Sequence, residues 1–417
     1  MRRVVVTGCG CVVPCGSNMH SVWSSILNGN SWIKKNIKIN TDDLRSKVCS
    51  SVIIDDNCLE KYNNIVSSKD KRRMDDVEYV SLIASYNAMQ DCGLLDDKSF
   101  NKENFGTFIA SGIGGIKSIQ DCTKTFLEKG YRRISPFFLT SGLTNMCAGN
   151  VAIKFGLQGA SMAHVSACAS STHSIGEAFN YIRSGRLDGC LAGGAEMAVC
   201  EIGIGGFDAM HALSSNFNDK PELASRPLDK DRDGFVIGEG SVMLILEELE
   251  HAKQRNAKIY CEIAGYGATC DAYHITSPRP DGKGAGRAMQ LAIKDANISA
   301  NDIDYINLHG TSTQLGDIAE ISAIKDVFGK YAYEVPISST KSITGHLLGA
   351  TGALEAMICA KSCQEQIIPP SINIQNLDED CNGMNIVQKA TKHNIKYAMS
   401  NSFGFGGTNG CLVFKTY

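Results

Sequence analysis

The sequence lacks an excess of basic charge and any long apolar run. Its 417 residues include 41 Lys and Arg against 44 Asp and Glu, for a net charge of −3. A nucleic-acid-binding protein needs a basic stripe to neutralise phosphates. No apolar run approaches the roughly 18 residues that cross a bilayer. We therefore expect neither nucleic acid nor a membrane as the main partner.

The sequence also lacks C-x-x-C pairs, although it contains 17 cysteines. An odd, scattered set argues against both a zinc site and a disulfide framework, and it favours a reducing compartment. The segment Arg2–Gly8 predicts a strand at the start of the chain, with no secretory leader before it. We expect a cytoplasmic protein, or one in an organelle lumen if the source is a eukaryote and a targeting segment has been removed.

Proline is scarce, with 9 residues, whereas glycine is abundant, with 41. Many tight turns with few breaks in regular structure fit an α/β fold. Periodicity predicts strands and helices in alternation. The strands are expected at Thr107–Ala110, Gly189–Gly193, Val242–Leu246 and Tyr305–Leu308, and the helices at Met74–Cys92, Glu247–Gln254, Gly286–Ala296, Gly316–Phe328 and His346–Ala360.

Two segments echo each other along the chain. Val5–Cys11 near the start is answered by Glu262–Ala268, which suggests two halves of common plan. We place the junction after the helix that ends at Gln254, so that residues 1–255 form an N-terminal half and residues 256–417 a C-terminal half. No low-complexity linker marks this boundary.

Cys168 stands out because small residues flank it in Ala167–Thr172, and a helix-compatible run from His173 to Ile182 follows. A helix N-terminus lowers the pKa of a thiol, which would free this cysteine from needing a dedicated base. The small neighbours let a thioester approach, and the Cys168 amide can donate to the developing oxyanion. This pattern predicts a nucleophilic thiol.

Three further segments extend this interpretation. His309 begins the segment His309–Thr313, His346 ends the segment Lys341–His346, and a glycine-rich stretch covers Asn401–Asn409. A Cys-His pair alone would suit a thiol protease, but a second histidine has no obvious task in peptide hydrolysis. Two imidazole N–H groups aimed at one point suit a substrate that passes through an enolate. The set therefore indicates acyl transfer coupled to carbanion chemistry.

With all four segments present in order, the chain resembles the elongating β-ketoacyl-[acyl-carrier-protein] synthases of the thiolase superfamily, nearest the type II enzymes. The resemblance covers nearly the whole chain. It implies a five-layered α-β-α-β-α fold made of two pseudo-repeated halves, a homodimer, and an acyl carrier protein as partner. It also implies decarboxylative condensation of an acyl group on Cys168 with malonyl-carrier protein, without a cofactor. A structural monovalent cation is left open.

The same resemblance implies roles for individual residues. His309 and His346 would hold the enolate oxygen, and Lys341 would support their hydrogen-bond network with Asp317 and Glu355 as its acidic partners. Phe403 would be the gate beside the acyl-cysteine, and its amide the second oxyanion donor. The other implied residues are Thr311 and Thr313 for the pantetheine arm, Ile113, Phe138, Phe207 and Phe405 for the acyl pocket, and Lys69, Arg72 and Arg73 for carrier docking.

One residue departs from the family pattern. His211 stands where type II relatives often carry arginine, so carrier docking is expected to be weaker or more dependent on pH there.

Other functions remain as alternatives. Val4–Gly10 begins like a dinucleotide fingerprint, but the third glycine position falls at Val13 and Pro14 follows, so we expect no nucleotide cofactor. A thiolase would place a second cysteine in a C-x-G setting, whereas Leu412 and Val413 follow Cys411. A polyketide-type ketosynthase and a non-catalytic partner subunit also remain, although such subunits usually lack the nucleophile.

Overall fold

The structure, a computed structural model, describes residues 1–97 and 100–417. Its strands, in chain order, are β1 (Val4–Val12), β2 (Lys34–Lys35), β3 (Val48–Cys49), β4 (Phe105–Ala110), β5 (Ser161–Met162), β6 (Gly189–Glu196), β7 (Gly240–Glu248), β8 (Cys261–Cys270), β9 (Tyr305–Asn307), β10 (Ile337–Ser338), β11 (Ile367–Ile368), β12 (Thr391–Lys392), β13 (Tyr397–Gly404) and β14 (Thr408–Lys415). Its helices are α1 (Met19–Leu27), α2 (Asp56–Lys61), α3 (Ser68–Lys71), α4 (Asp76–Asp91), α5 (Ile116–Lys129), α6 (Phe138–Gly142), α7 (Met146–Phe155), α8 (Ser170–Arg183), α9 (Glu201–Ala209), α10 (Leu249–Gln254), α11 (Lys283–Asp295), α12 (Gln314–Phe328), α13 (Lys341–Thr344) and α14 (Thr351–Glu365).

The strands and most helices expected from periodicity are confirmed to within a few residues. The expected helix His346–Ala360 begins too early. His346 instead forms a β-bridge with Ile237, a 3₁₀ turn covers Leu348–Ala350, and α14 starts only at Thr351. Periodicity did not find this boundary because the apolar pattern continues through the turn.

Ten strands form one hydrogen-bonded sheet in the order β10-β9-β13-β14-β8-β1-β7-β6-β4-β5. The order has the same plan on either side of the centre. In the first half, β5, β4 and β6 run parallel to one another, and β7 and then β1 add to β6 in antiparallel pairing. In the second half, β10, β9 and β13 run parallel to one another, and β14 and then β8 add to β13 in antiparallel pairing. Among the residues that the structure describes, the two half-sheets are joined by the antiparallel pairing of Val4–Val6 with Cys261–Ile263.

Helices cover both faces of each half-sheet. On the outside, α4 and α7 pack on the first half-sheet and α11 packs on the second, with α12 beside it. Between the half-sheets lie α8 and α14, each of which contacts strands of both halves. The expected five layers and common plan are therefore confirmed, while the boundary at residue 255 stays a prediction.

Paired glycines explain the echo between β1 and β8. A Cβ on Gly10 would lie 2.2 Å from the carbonyl oxygen of Ala84 in α4, and one on Gly267 would lie 2.1 Å from that of Ala288 in α11. In each half the outer helix lies directly on the strand backbone, which only glycine permits. The glycines that begin like a dinucleotide fingerprint thus serve helix packing.

Among the residues that the structure describes, every helix falls short of the length and apolar character that a membrane span requires.

Candidate active site

A cavity of about 250 Å³ opens where the N-terminal ends of α8 and α14 meet. Cys168, His309 and His346 all line it. One half of the fold supplies the thiol and the other supplies both imidazoles. The three side chains singled out from the sequence are therefore brought together in one chamber.

Cys168 lies in a 3₁₀ turn, Ala167–Ala169, that leads directly into α8. Ala167 before it has a φ of 50°, which is left-handed and costs a non-glycine residue about 1–2 kcal/mol. The Ser170 hydroxyl donates to the Ala167 carbonyl at 2.6 Å and accepts from the Ser166 amide at 2.9 Å, which holds the turn. The turn leaves the thiol partly exposed to the cavity.

His346 contacts the sulfur directly. Its Nε2 lies 3.0 Å from Cys168 Sγ, and its Nδ1 lies 2.9 Å from the Thr351 hydroxyl at the start of α14. A threonine hydroxyl can donate or accept, so either neutral tautomer of His346 is compatible with this contact. The ring packs edge-on against Phe235 at a centroid distance of 5.4 Å.

The expected fall in the thiol pKa is not met. Burial raises the pKa of Cys168 to about 12, although the Lys341 ammonium opposes this rise. Hydrogen bonds from the amides of Cys168 and Phe405 also favour the thiolate. Desolvation outweighs these effects and favours the thiol over the thiolate. The neighbouring imidazole can accept the thiol proton, so the structure supports a base more than the interpretation that Cys168 needs none.

The two histidines lie edge to face, with ring centroids 5.6 Å apart. Burial lowers the pKa of each well below its usual value, and Lys341 adds to the effect. Both rings are therefore neutral at physiological pH. Neutral imidazoles can donate an N–H to a developing oxyanion, as the sequence predicted.

Lys341 lies beneath the histidines and is fully buried. Its ammonium donates to the His309 carbonyl and to Glu355 Oε1. Burial raises the pKa of Glu355, and the Lys341 ammonium opposes that rise. The predicted association of Lys341 with Glu355 is present.

Asp317, in contrast, is not a partner of Lys341, and that prediction is wrong. Its carboxylate lies 3.3 Å from the Arg232 guanidinium and accepts from the amides of Leu228 and Ser312 at 2.9 and 3.2 Å. Burial raises its pKa to about 6, against the effect of Arg232. Asp317 therefore holds the loop before α12 in place and is not a negative charge beside Lys341.

Glu320 is a further residue of the site, one that the sequence did not predict. This carboxylate accepts from the amides of His309 and Gly310 at 2.9 and 2.8 Å and from Asn401 Nδ2 at 3.0 Å. Burial raises its pKa to about 7, and Lys341 opposes the rise. It lies three residues after Asp317, so on α12 it is the next acidic side chain on nearly the same face.

The second amide beside the sulfur belongs to Phe405 and not to Phe403, which corrects the prediction. Phe403 is the next-to-last residue of β13, and its ring packs against His309 at a centroid distance of 5.6 Å. Phe405 opens the turn Phe405–Gly407, in which Gly406 and Gly407 have φ of 79° and 72°. These glycines permit the conformation that aims the Phe405 amide at Cys168.

Three of the four residues predicted for the acyl pocket lie at the cavity. Ile113, Phe207 and Phe405 line the cavity, but Phe138, at the start of α6, does not. Glu196 fixes this wall, because its buried carboxylate accepts from the amides of Gly112 at 2.7 Å and Ile113 at 3.2 Å. The acyl-pocket role of Phe138 stays a prediction.

Thr311 and Thr313 also line the cavity, with their hydroxyls 3.0 Å apart. They lie in the loop between β9 and α12, on the C-terminal side of the chamber. Their arrangement offers two adjacent hydroxyls to a polar ligand.

The predicted docking residues lie outside the chamber. Lys69, Arg72 and Arg73 are exposed on and just after α3, and the Arg73 guanidinium stacks over Phe137 at 5.0 Å. His211 is exposed just after α9, with a φ of 55°. No described contact connects these side chains to the cavity lining, and their role stays a prediction.

Three buried side-chain oxygens behind the chamber have no hydrogen-bond partner among the described residues: Asn307 Oδ1, Glu355 Oε2 and Ser400 Oγ. Asn307 and Ser400 are direct neighbours in the pairing of β9 with β13, and α14 packs on β13. A set of one carboxylate, one amide and one hydroxyl oxygen has the chemistry that hard cations prefer. These residues therefore fit the monovalent cation left open by the sequence.

Comparison with known proteins shows which family has this arrangement. The family model described as "Beta-ketoacyl synthase, N-terminal domain" matches residues 1–252, and the model "Beta-ketoacyl synthase, C-terminal domain" matches residues 260–375. Curated relatives named 3-oxoacyl-[acyl-carrier-protein] synthase 2 are similar over the whole chain. Those of Rhizobium meliloti, Vibrio cholerae and Staphylococcus aureus are 43%, 45% and 42% identical, with 99–100% of this chain and 99% of each relative covered.

Solved structures agree. A β-ketoacyl synthase from Burkholderia phymatum superposes with a TM-score of 0.91 at 35% identity and covers 100% of both chains. A type II polyketide ketosynthase, in complex with its acyl-carrier protein and bound to the hexaketide, gives the same TM-score and identity, with 100% of this chain and 99% of that chain covered.

Proposed function

The chain belongs to the β-ketoacyl synthase family, and from that premise we propose that it is an acyltransferase, an elongating 3-oxoacyl-[acyl-carrier-protein] synthase. One observation carries the proposal: Cys168 Sγ lies 3.0 Å from His346 Nε2, in a chamber that His309 also lines. The similarity to synthases that carry this activity in their names supports the choice of substrate.

In the first half-reaction, Cys168 takes the acyl group from its carrier. The sulfur attacks the thioester carbonyl while the thiol proton moves to His346 Nε2, and the amides of Cys168 and Phe405 hold the oxyanion. The carbon–sulfur bond to the carrier then breaks, and His346 returns the proton to the departing thiolate. The products are acyl-Cys168 and free carrier thiol.

In the second half-reaction, malonyl-carrier protein enters the same chamber. The bond to its carboxylate breaks, carbon dioxide leaves, and the electron pair passes into the thioester as an enolate. His309 and His346 donate N–H groups to the enolate oxygen, each worth about 3 kcal/mol of barrier lowering. Because His346 ends the first half-reaction with a bare Nε2, its proton first exchanges from Nδ1 to Nε2 through solvent. The Thr351 hydroxyl, which can donate or accept, then donates to Nδ1 and stabilises this tautomer.

Condensation closes the cycle. The enolate carbon attacks the acyl carbonyl on Cys168, and the tetrahedral oxyanion returns to the two backbone amides. Collapse expels the Cys168 thiolate, which takes one proton from solvent. The product is a 3-oxoacyl-carrier protein two carbons longer than the starting acyl chain.

Surface features support the proposed partners. Lys69, Arg72 and Arg73 offer positive charge to an acidic carrier protein, and a similar ketosynthase has been solved with its carrier. The edge strand β5 is exposed, and so is the large apolar side chain of Ile153 on α7, the helix that contacts β5. An exposed sheet edge beside apolar side chains suits a second copy, so the proposal includes a homodimer. It also includes a cytoplasmic location, because scattered free cysteines favour a reducing compartment.

Intact-mass measurement after incubation with acyl-carrier proteins of graded chain length tests the function. We expect one acyl adduct on the wild type, none on Cys168→Ala, and an unchanged adduct on the matched control Cys15→Ala, which removes an exposed cysteine outside the cavity lining. Adding malonyl-carrier protein should convert the adduct into 3-oxoacyl product. Adduct formation by Cys168→Ala would refute the assignment.

The same assay separates the alternatives. A polyketide-type ketosynthase would also extend a 3-oxoacyl chain offered in place of a saturated one, whereas a fatty-acid synthase should strongly prefer the saturated chain. A thiolase would condense acetyl thioesters without malonyl-carrier protein. A non-catalytic subunit would form no adduct.

A further inference from the structure

The loop that carries Thr311 and Thr313 has an unusual backbone between them. Ser312 has a φ of 70°, a left-handed conformation that is unfavourable for a residue with a Cβ. All three of its polar groups are tied down. Its amide donates to Asp317 at 3.2 Å, its hydroxyl accepts from the Arg226 amide at 3.0 Å, and its carbonyl accepts from the Gly234 amide at 3.2 Å.

Arg232 holds the next residues of this loop. Its buried guanidinium donates to the carbonyl of Thr313 at 3.1 Å and to that of Gln314 at 2.8 Å. It also lies 3.3 Å from the Asp317 carboxylate, which itself receives the Ser312 amide. One side chain thus fixes the threonine segment through two carbonyls and one carboxylate.

The other side of the guanidinium is anchored away from the cavity. Nη1 of Arg232 donates to the Asp229 carbonyl and to Asp378 Oδ2, both at 2.7 Å. Asp378 belongs to the segment before the 3₁₀ turn Glu379–Cys381. Arg232 therefore connects the cavity loop to two distant parts of the chain, and its charge is balanced by Asp317 and Asp378.

We propose that Arg232 is a positioning residue that holds the Thr311 and Thr313 hydroxyls where they receive the carrier's pantetheine arm. The assignment rests on the proposed function, because that function supplies the arm. Arg232 does not line the cavity and touches no reacting atom. It acts through the backbone of the loop, and its effect belongs to carrier binding and not to the chemical steps.

Arg232→Lys is the informative substitution. Lysine keeps the positive charge beside Asp317 and Asp378 but has a single nitrogen, which cannot reach the Thr313 and Gln314 carbonyls and the distal anchors together. Arg226→Lys is the matched control. Arg226 is an equally buried arginine of the same segment, and its side chain binds Asp229 and Gln375 without contacting the threonine loop.

The experiment follows acylation of Cys168 by one acyl group presented on a carrier protein or on ethanethiol, which lacks the pantetheine arm. For Arg232→Lys we expect the half-saturating concentration of the carrier substrate to rise about tenfold, with the maximal rate and the ethanethiol reaction within about twofold of wild type. Arg226→Lys should leave the half-saturating concentration unchanged.

Three results would overturn the proposal: no shift in Arg232→Lys, an equal loss with both substrates, or the same shift in Arg226→Lys. Should Arg232→Lys fail to fold, Asp378→Asn weakens the anchor more gently and should give a smaller shift in the same direction. Its control, Asp231→Asn, alters a neighbouring carboxylate that binds Asn376 and not Arg232. A wild type that accepts acyl groups from neither substrate would instead refute the function itself.

Discussion

The two halves of the molecule share a scaffold but not a chemistry. In each, a glycine-bearing strand lies against an outer helix, and a central helix starts after a short 3₁₀ turn. The N-terminal half puts a cysteine in its turn, whereas the C-terminal half puts a histidine just before its turn and a second histidine after β9. The two halves therefore share a frame, and the proposed reaction depends on the difference between them at the point where they meet.

The largest expected effect comes from replacing the two histidines one at a time, which distinguishes their roles. His346→Ala removes the imidazole that contacts the Cys168 sulfur as well as an enolate donor, so it should slow both acylation and decarboxylation. His309→Ala removes only a donor, so decarboxylation should fall by about 10²–10³ and acyl-Cys168 should accumulate. Mass spectrometry of the acyl-enzyme and carbon dioxide release measure the two steps.

The control for both variants is His20→Ala, which alters an exposed histidine of α1. Equal acylation rates in His309→Ala and His346→Ala would contradict the proton transfer assigned to His346. Normal decarboxylation in both would remove the enolate role.

A smaller effect tests the shared scaffold. Gly10→Ala and Gly267→Ala each place a Cβ within 2.2 Å of a helix carbonyl, so each should force the outer helix away from its strand. We expect both to lose about 1–3 kcal/mol of stability, as overpacked cores do. Thermal unfolding should show similar losses for the two variants. Gly205→Ala, where nothing lies within 4 Å, should not lower the midpoint, and a loss in only one half would contradict a common packing rule.

The smallest effect concerns a buried carboxyl in the N-terminal half. Burial raises the pKa of Glu78 on α4 to about 8, against a hydrogen bond from Asn150 Nδ2 at 2.7 Å that lowers it. Because the pKa of Glu78 is higher in the folded protein than in the unfolded chain, the protonated carboxyl favours folding in acid. This contribution to the free energy of unfolding is lost as the pH rises towards 8. Glu78→Gln should therefore narrow the difference in unfolding midpoint between pH 6 and pH 8.5 by about 1–3 °C.

The exposed Glu60→Gln should leave that difference unchanged. An unaltered pH dependence in Glu78→Gln would show that the carboxyl stays ionised in the folded protein.

The sequence sufficed for features that are local. The alternating strands and helices follow from periodicity, and the segments with Cys168, His309 and His346 are recognisable because several small residues must surround each side chain. Their order along the chain predicted both the family and the convergence on one chamber.

The corrected predictions depend on direction in space. Asp317 and Glu320 lie three residues apart on α12, and only the packing of that helix decides which of them reaches the chamber. Phe403 and Phe405 each precede a glycine, yet the left-handed turn at Gly406 aims the amide of Phe405. The sequence predicted a lowered thiol pKa because it shows the N-terminus of α8 but not the desolvation around Cys168, which raises the pKa.

The packing of the central helices makes the two halves depend on each other. A Cβ on Gly176 of α8 would lie 2.3 Å from the ring of Tyr266 on β8, so a helix made by one half is shaped to the strand of the other. Either half alone would expose the face of its central helix that packs against the other half. We therefore expect the two halves to fold and unfold together, as one cooperative unit.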